Sequence, residues 1–319
     1  MAPRQVTVFG GSGFIGRHLV HRLAAAGCRV VAAVRRPEAA DFLRPMGDVG
    51  QVVPLRCDVR DDAAVARALE GADAAVNLVG ILFETRRRRF ADLHGAAPGI
   101  IAGAVAARGL GAFVQVSAIG ADPHAPSAYG RTKAQGEAAA REGFGGTTVM
   151  RPSVVFGPED DFFNRFAALA RVSPVLPLFG GGTNPFQPVY VCDVAEAIWQ
   201  ALSRRGARGR TFELGGPKVY SFHEIMALIL AEIGRRRLLV PLPMAVADVI
   251  GLGGDVLAAL GVTPPLTRDQ ARLLRTDNVV AEGAAGLAEL GIRPTAAELI
   301  LPTYLDRFRP AGRFGPVGS

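Results

Sequence analysis

Tyr129-Gly130-Arg131-Thr132-Lys133 is a YxxxK, a spacing that on a helix puts phenol and ammonium one turn apart on one face. An ammonium beside a phenol favours the phenolate. The tyrosine can then exchange a proton with a carbonyl or hydroxyl, and the lysine can also bond a ribose. Ser117 is the residue expected to orient the substrate oxygen. Pro123, His124 and Pro126 fall between it and the tyrosine, so its placement is open and Ser127 is a substitute. The plainer reading of the YxxxK is an exposed, polar helix start.

A second constellation lies near the N-terminus, in Gly10-Gly11-Ser12-Gly13-Phe14-Ile15-Gly16. It satisfies both GxGxxG and GxxGxxG, directly follows an apolar β-rich run and opens a helical one. In that context glycines let the backbone approach a pyrophosphate while the helix N-terminus supplies N–H groups and dipole. At the end of the second apolar run stand Arg35 and Arg36, where an acidic residue would accept from a ribose 2′-OH. Arginine there can pair with a 2′-phosphate, which predicts NADP(H); the alternative is ordinary surface charge. Asp58 is expected at the adenine edge, and Asn77, Val79 and Gly80 along the cofactor pocket, with a turn or helix cap as the alternative for each.

The elements that must position these residues follow from an alternation of short apolar runs and amphipathic helices, which forces a parallel sheet covered on both faces. Strands are predicted over Val6 to Phe9, Arg29 to Val34, Val52 to Cys57, Ala74 to Val79 and Ala112 to Ser117. Helices are predicted over Phe14 to Ala26, with Gly27 as its stop, and over Ala63 to Leu69, led by Asp61 and Asp62. The expected fold class is α/β: a Rossmann-type doubly wound parallel sheet with a smaller C-terminal α/β lobe. After Met150-Arg151-Pro152-Ser153 the alternation loosens, so residues 1–157 read as the dinucleotide-binding domain and 158–319 as the lobe. Residues from about 187 to 215, with a helix over Asp193 to Leu202, are expected to pack back on the first domain.

Composition bounds the class. Three cysteines, Cys28, Cys57 and Cys192, are too scattered for a zinc site or a disulfide framework, so no metal is expected and a reducing compartment fits. The start of the chain has no room for an apolar signal segment, which predicts a cytoplasmic location. A formal charge of +7 favours acidic partners. Its arginines cluster at 86–89, 204–210 and 235–237 without interleaved aromatics, which argues against nucleic acid. The first reading of these clusters is solvated loops, the second docking on a protein or anionic lipid. Leu238 to Gly261 is the most apolar stretch. Asp248 and Asp255 exclude a bilayer span, leaving a core helix as first expectation and a helix resting on a membrane or hydrophobic partner as second.

Taken together, these residues resemble the extended and atypical short-chain dehydrogenase/reductase superfamily over nearly the whole chain. A narrower resemblance rests on Asn77-Leu78-Val79-Gly80-Ile81-Leu82, on the run from Arg151-Pro152-Ser153 through Asp160 to Arg165, and on Gln187-Pro188-Val189-Tyr190-Val191. It is to the family of nucleotide-binding accessory subunits of respiratory complex I and their bacterial relatives. That resemblance implies NADPH held as a structural cofactor, complex I subunits as partners on the cytoplasmic side, and a peripheral place on the inner membrane. Two other readings remain open. One is a reductase, epimerase or dehydratase acting on a nucleotide-sugar or quinone-like compound through Tyr129 and Lys133; the other is a cofactor-sensing regulator.

Overall fold

The structure, a computed structural model, describes residues 2–310 and 312. Met1, Ala311 and 313–319, which belong to the expected domain and lobe, lie outside the described residues. In chain order the elements are β1 (Gln5–Phe9), α1 (Phe14–Ala25), β2 (Arg29–Val34), β3 (Val52–Arg56), α2 (Asp62–Ala68), β4 (Ala74–Asn77), α3 (Ala97–Ala107), β5 (Ala112–Val116), α4 (Ala128–Gly143) and β6 (Thr148–Pro152). There follow β7 (Val155–Phe156), α5 (Phe163–Val172), β8 (Val175–Phe179), β9 (Pro185–Phe186), β10 (Val189–Tyr190), α6 (Val191–Ser203) and β11 (Thr211–Leu214). The last are β12 (Tyr220–Ser221), α7 (Phe222–Glu232), β13 (Leu238–Leu242), α8 (Met244–Ala259), α9 (Arg268–Leu273), α10 (Ala297–Ile300) and α11 (Pro302–Leu305).

Seven strands form one sheet in the order β11-β6-β5-β4-β1-β2-β3. Every pairing in it is parallel. The chain winds outward from β1 to β3, then returns to lay β4 on the other side, which makes the β1/β4 boundary the switch point where ligands bind in such sheets. The α/β fold is thus the doubly wound parallel sheet expected. Its strands are buried on both sides because both faces are covered. Leu19, Val20 and Leu23 of α1 and Ile198 and Leu202 of α6 cover one face. Val65, Ile101 and Val105 of α2 and α3, with Phe9 and Phe113 of the sheet, fill the other.

Local chemistry sets the boundaries. Asp61 caps α2 by accepting from the backbone N–H groups of Ala63 and Ala64, and Gly27 closes the α1 turn at a φ of +80°. Strand β4 stops at Asn77, two residues short of the predicted end. The Asn77 carboxamide oxygen accepts from the Val79 N–H at 3.0 Å and turns the chain out of the sheet.

Segments from beyond 158 reach back to the sheet: α6 lies beside α1, where Glu196 pairs with Arg22, and β11 adds to β6. The remaining elements have their own core, rich in aromatic residues. Phe156, Phe163, Phe186, Phe222, Ile225, Ile229 and Tyr304 are its main members.

The first expectation for Leu238 to Gly261 is corrected. The segment begins as β13, paired parallel with β8, and continues as α8, whose buried residues are Ala247, Gly251, Gly254 and Ala258. Its larger apolar side chains face outward. An apolar composition reads as burial, but here the small residues make the closest contact: a Cβ on Gly251 would press on the backbone of Thr267 and Arg268.

Candidate functional site

Every residue proposed for the site falls at or just beyond the C-terminal ends of the parallel strands, or on the helix that follows β5. The phosphate loop leaves β1 through Gly10, whose φ of +82° lies in the region that favours glycine. Gly16 sits in the first turn of α1, where a Cβ would overlap the carbonyl oxygens of Gly10 and Gly11. That close crossing brings the loop onto the helix N-terminus. Helix α1 has Gly13 as its N-cap, no capping side chain and no acidic residue in its first turn. Its first N–H groups are therefore free to meet an anion.

Around the end of β2 the structure gathers more positive charge than sequence spacing suggested. Arg35 is held below its ordinary guanidinium value first by burial, then by Arg88, with Asp58 opposing and Arg36 and Arg60 adding to the effect. Arg88 comes from one of the arginine runs read as solvated loops, and its backbone is fixed by hydrogen bonds with Thr85. Asp58 is paired with Arg60. Its two oxygens accept from Arg60 Nε at 2.9 Å and Nη2 at 2.6 Å. Hydrogen bonds from Arg60 hold its carboxyl below the usual range against the opposing effect of burial. Asp58 and Asp92 among four guanidiniums leave a net positive corner, which suits a phosphate monoester.

On the other side of the switch point, Asn77 is fully buried and spends both ends of its carboxamide inside the protein. Its Nδ2 donates to Gln115 at 2.9 Å, while its oxygen holds Val79. It shapes the 78–80 turn. A Cβ built on Gly80 would stand 3.5 Å from Lys133 Nζ and 3.6 Å from His94 Nε2, which puts this turn against the YxxxK helix.

Helix α4 buries Lys133, Gly136 and Glu137, and its Tyr129 packs on Phe90 and His94. Its start is capped twice. Ser127 Oγ accepts from Gly130 N at 3.0 Å, and Asp269 of α9 accepts from the N–H groups of Ala128 and Tyr129 at 2.6 and 2.9 Å. Ser127 thus serves as a buried helix cap. Ser117 is buried beyond the end of β5, and its Oγ has no hydrogen-bond partner among the described residues. Lys133 Nζ lies 3.5 Å from the Val116 carbonyl and 5.7 Å from the Tyr129 ring centroid. Burial pushes the lysine down to about 8 against an opposing pull from Glu137, and pushes the Tyr129 phenol up to about 12. At neutral pH the tyrosine is therefore a proton donor.

His94, which sequence reasoning missed, completes this group. It lies in a short π-helical turn, Ala91–Ala96, that runs directly into α3. Its ring stacks on Phe90 at 5.0 Å and meets the Tyr129 ring edge-on at 5.2 Å between centroids. His94 Nε2 accepts from Ile81 N at 3.0 Å. The proton therefore sits on Nδ1, which is buried and has no partner among the described residues. Burial, with Lys133 nearby, drives the imidazole down to about 2, so it stays neutral. The one sequence signal was the one-turn spacing of Phe90 and His94.

Glu137 is forked by Arg151 of β6, Nε to Oε1 at 2.9 Å and Nη2 to Oε2 at 2.8 Å, which locks α4 to the sheet. Two concavities, of about 440 and 390 Å³, lie elsewhere. The first is lined by Arg4, Asp73, Gly111 and Arg208 at the opposite ends of the strands, the second by Phe179, Met244 and Arg275. The convergent polar groups mark the site, not these hollows.

The arrangement fits a nicotinamide dinucleotide. A glycine crossing faces a bare helix N-terminus, a cationic corner flanks β2, and two buried polar atoms without partners among the described residues, Ser117 Oγ and His94 Nδ1, lie near Tyr129 and Lys133. Residues 6–215 match the profile of the NAD dependent epimerase/dehydratase family. Among curated relatives, NADH dehydrogenase (ubiquinone) 1 alpha subcomplex subunit 9, mitochondrial, of Arabidopsis thaliana is 35% identical over 98% of this chain and 80% of its own length. Ceramide reductase of Caulobacter vibrioides (strain NA1000 / CB15N) is 30% identical over 81% of this chain and 80% of its own. Among solved structures, UDP-glucuronic acid 4-epimerase of Bacillus cereus, in complex with UDP-glucuronic acid and NAD, superposes with a TM-score of 0.71 at 17% identity. It covers 95% of this chain and 98% of the other. The chain belongs to the NAD dependent epimerase/dehydratase family, and its relatives there include proteins named as subunit 9 of the alpha subcomplex of mitochondrial NADH dehydrogenase (ubiquinone).

Proposed function

We propose that this protein is an accessory subunit of respiratory complex I, the membrane-bound NADH:quinone oxidoreductase, and that it holds NADP(H) as a structural cofactor on the cytoplasmic side of the membrane. The observation that carries the reading is the near full-length similarity to the alpha subcomplex subunit 9 of Arabidopsis thaliana. Bound, the dinucleotide would supply hydride chemistry; what the chain contributes is binding and orientation. The α1 N-terminus and its glycine crossing take the pyrophosphate, Arg35 and Arg36 with Arg88 take the 2′-phosphate, and Tyr129, Lys133 and Ser117 face the nicotinamide half. The test is purification of the tagged protein from mildly solubilised membranes of its own cells. Complex I subunits are expected in stoichiometric amount, and a protein that purifies alone contradicts the assignment.

A second reading, an NADP(H)-dependent reductase, is favoured by the retained Ser117, Tyr129 and Lys133 and by the relative named ceramide reductase. Under it Tyr129 donates its proton to a substrate oxygen, and Tyr129→Phe abolishes turnover without loss of fold.

The 2′-phosphate assignment has its own check. Arg35→Ala is expected to weaken NADP(H) about tenfold to a hundredfold, the loss of one charge-assisted phosphate contact, and to leave NAD(H) nearly unchanged. Isothermal titration with both cofactors reads the difference. Equal losses would remove the 2′-phosphate from this corner.

A further inference from the structure

Helix α8 is turned inside out. Its small residues, Ala247, Gly251, Gly254 and Ala258, face the protein, and Val249, Leu252, Val256 and Leu260 face outward at 71, 53, 58 and 67% exposure. Ile250 and Leu257 extend the same face. Burying such residues is favourable and exposing them together is not, so a surface of this kind marks a docking site. The closeness of the inner contact argues against the helix simply turning over, because larger side chains would not fit against Thr267 and Arg268.

We propose that α8 seats its outer face in an anionic phospholipid surface, lying in the plane of the membrane. This deepens the peripheral-membrane part of the reading above by naming the surface and its lipid class. The charge pattern selects lipid. The helix carries two charges, Asp248 and Asp255, and each is paired with an arginine of or just after α9, Arg275 and Arg268. No free carboxylate therefore meets an anionic headgroup. Arg272, one turn from both arginines, is exposed and has no ion-pair partner among the described residues. Arg86 and Arg87 are exposed on the loop after Leu82, and the Leu82 carbonyl lies 3.4 Å from Gln270 Nε2 of α9. An apolar helix flanked by arginines is the arrangement that binds acidic lipid headgroups.

The other occupants fit less well. A second copy would bring the same arginine rim against itself across a two-fold axis. The outward face is aliphatic throughout, without the aromatic anchors that dominate protein interfaces. No helix among the described residues is long and apolar enough to cross a membrane, so α8 lies on the bilayer rather than through it.

The test is flotation of the full chain with vesicles of phosphatidylcholine and phosphatidylglycerol, beside vesicles of phosphatidylcholine alone. Binding is expected to the mixed vesicles, more than about tenfold above the neutral ones, and to weaken as salt rises. The triple variant Val249→Ser, Leu252→Ser, Val256→Ser is expected to lose on the order of a hundredfold in vesicle affinity while keeping its circular dichroism and dinucleotide binding. Arg272→Gln is expected to lose about fivefold with the apolar face intact. Undiminished binding by the triple variant, equal binding to both vesicle types, or a dimer dissociated by the triple variant without any vesicle binding would each overturn the proposal. If vesicle binding fails while complex I subunits still copurify, the lipid surface falls and the accessory-subunit reading stands; binding to vesicles by a protein that purifies without them gives the reverse.

Discussion

Gly16→Val is expected to lower nicotinamide dinucleotide affinity by on the order of a thousandfold, about 4 kcal/mol, the largest single effect in the protein. A side chain there would overlap the carbonyl oxygens of Gly10 and Gly11, so the loop must lift away from the first turn of α1. The pyrophosphate then loses charge-assisted bonds from backbone N–H groups, each contributing about 1.5 to 3 kcal/mol, and two such losses reach the expected figure. The fold should survive, because overpacking at one position costs about 1 to 3 kcal/mol. Titration calorimetry alongside thermal unfolding separates the two. A variant that binds normally would remove the phosphate role from this loop.

Lys133→Met is expected to act in opposite directions on stability and on binding. In the folded protein burial drives the Lys133 ammonium down to about 8, from an ordinary 10.5. As pH falls from 10.5 toward 8, the unfolded chain takes up a proton that the folded chain refuses, so folded stability declines across that window. Below it the cost is complete, up to about 3 kcal/mol. Replacing the lysine with an apolar chain of similar length removes that cost. The variant should be more stable at neutral pH by up to about 3 kcal/mol, with the gain shrinking to nothing in strong alkali, and should bind the dinucleotide more weakly. Urea unfolding at several pH values reads the first effect and calorimetry the second. A variant destabilised at neutral pH would mean that the ammonium is a net structural asset in the cofactor-free protein.

A lysine retained at such a cost is characteristic of a binding position, where local stability is given up for an interaction with ligand. The same pattern appears around it. Ser117 Oγ and His94 Nδ1 are buried without partners among the described residues, although nearby polar groups are fully used. Asn77 and Ser127 spend their side chains on the backbone, and Glu137 is forked by Arg151. Two buried polar atoms without a partner among the described residues, Ser117 Oγ and His94 Nδ1, thus lie where the nicotinamide half is proposed to lie.

The sheet and the glycine loop between β1 and α1 could be read directly from the sequence because their signals are local. Short apolar runs punctuated by Gly10 and Gly27 specify strands and helix ends without reference to the rest of the chain. The YxxxK was legible for the same reason, its two ends being neighbours on one helix. Arg60, Arg88 and His94 were not, because each reaches the site through a loop or a π-helical turn whose path depends on tertiary packing. Asp58 was found by position, whereas its pairing with Arg60 was not, since that pairing depends on how the turn folds.

The motif from Arg151 to Arg165 that carried the family resemblance acts largely as a set of fasteners. Arg151 holds α4, Ser153 Oγ donates to Asn278, Asp160 accepts from Tyr304 at 2.6 Å, and Arg165 donates to the carbonyls of Pro264 and Pro265 before α9. These residues join the sheet to the later elements, so a fingerprint in this stretch reflects how the two parts are assembled. The reading of Leu238 to Gly261 failed for a related reason. Composition reports how apolar a helix is, while the positions of Gly251 and Gly254 decide which face is turned inward.

The measurement that tests the central claim most directly is chemical identification of the nucleotide released by denaturing the protein after purification from its own membranes. NADP(H) in about one-to-one ratio, retained through purification and unchanged after incubation with quinone, is the predicted result. NAD(H), or a protein that yields no nucleotide, would contradict the account of the arginine corner and of a structurally held cofactor.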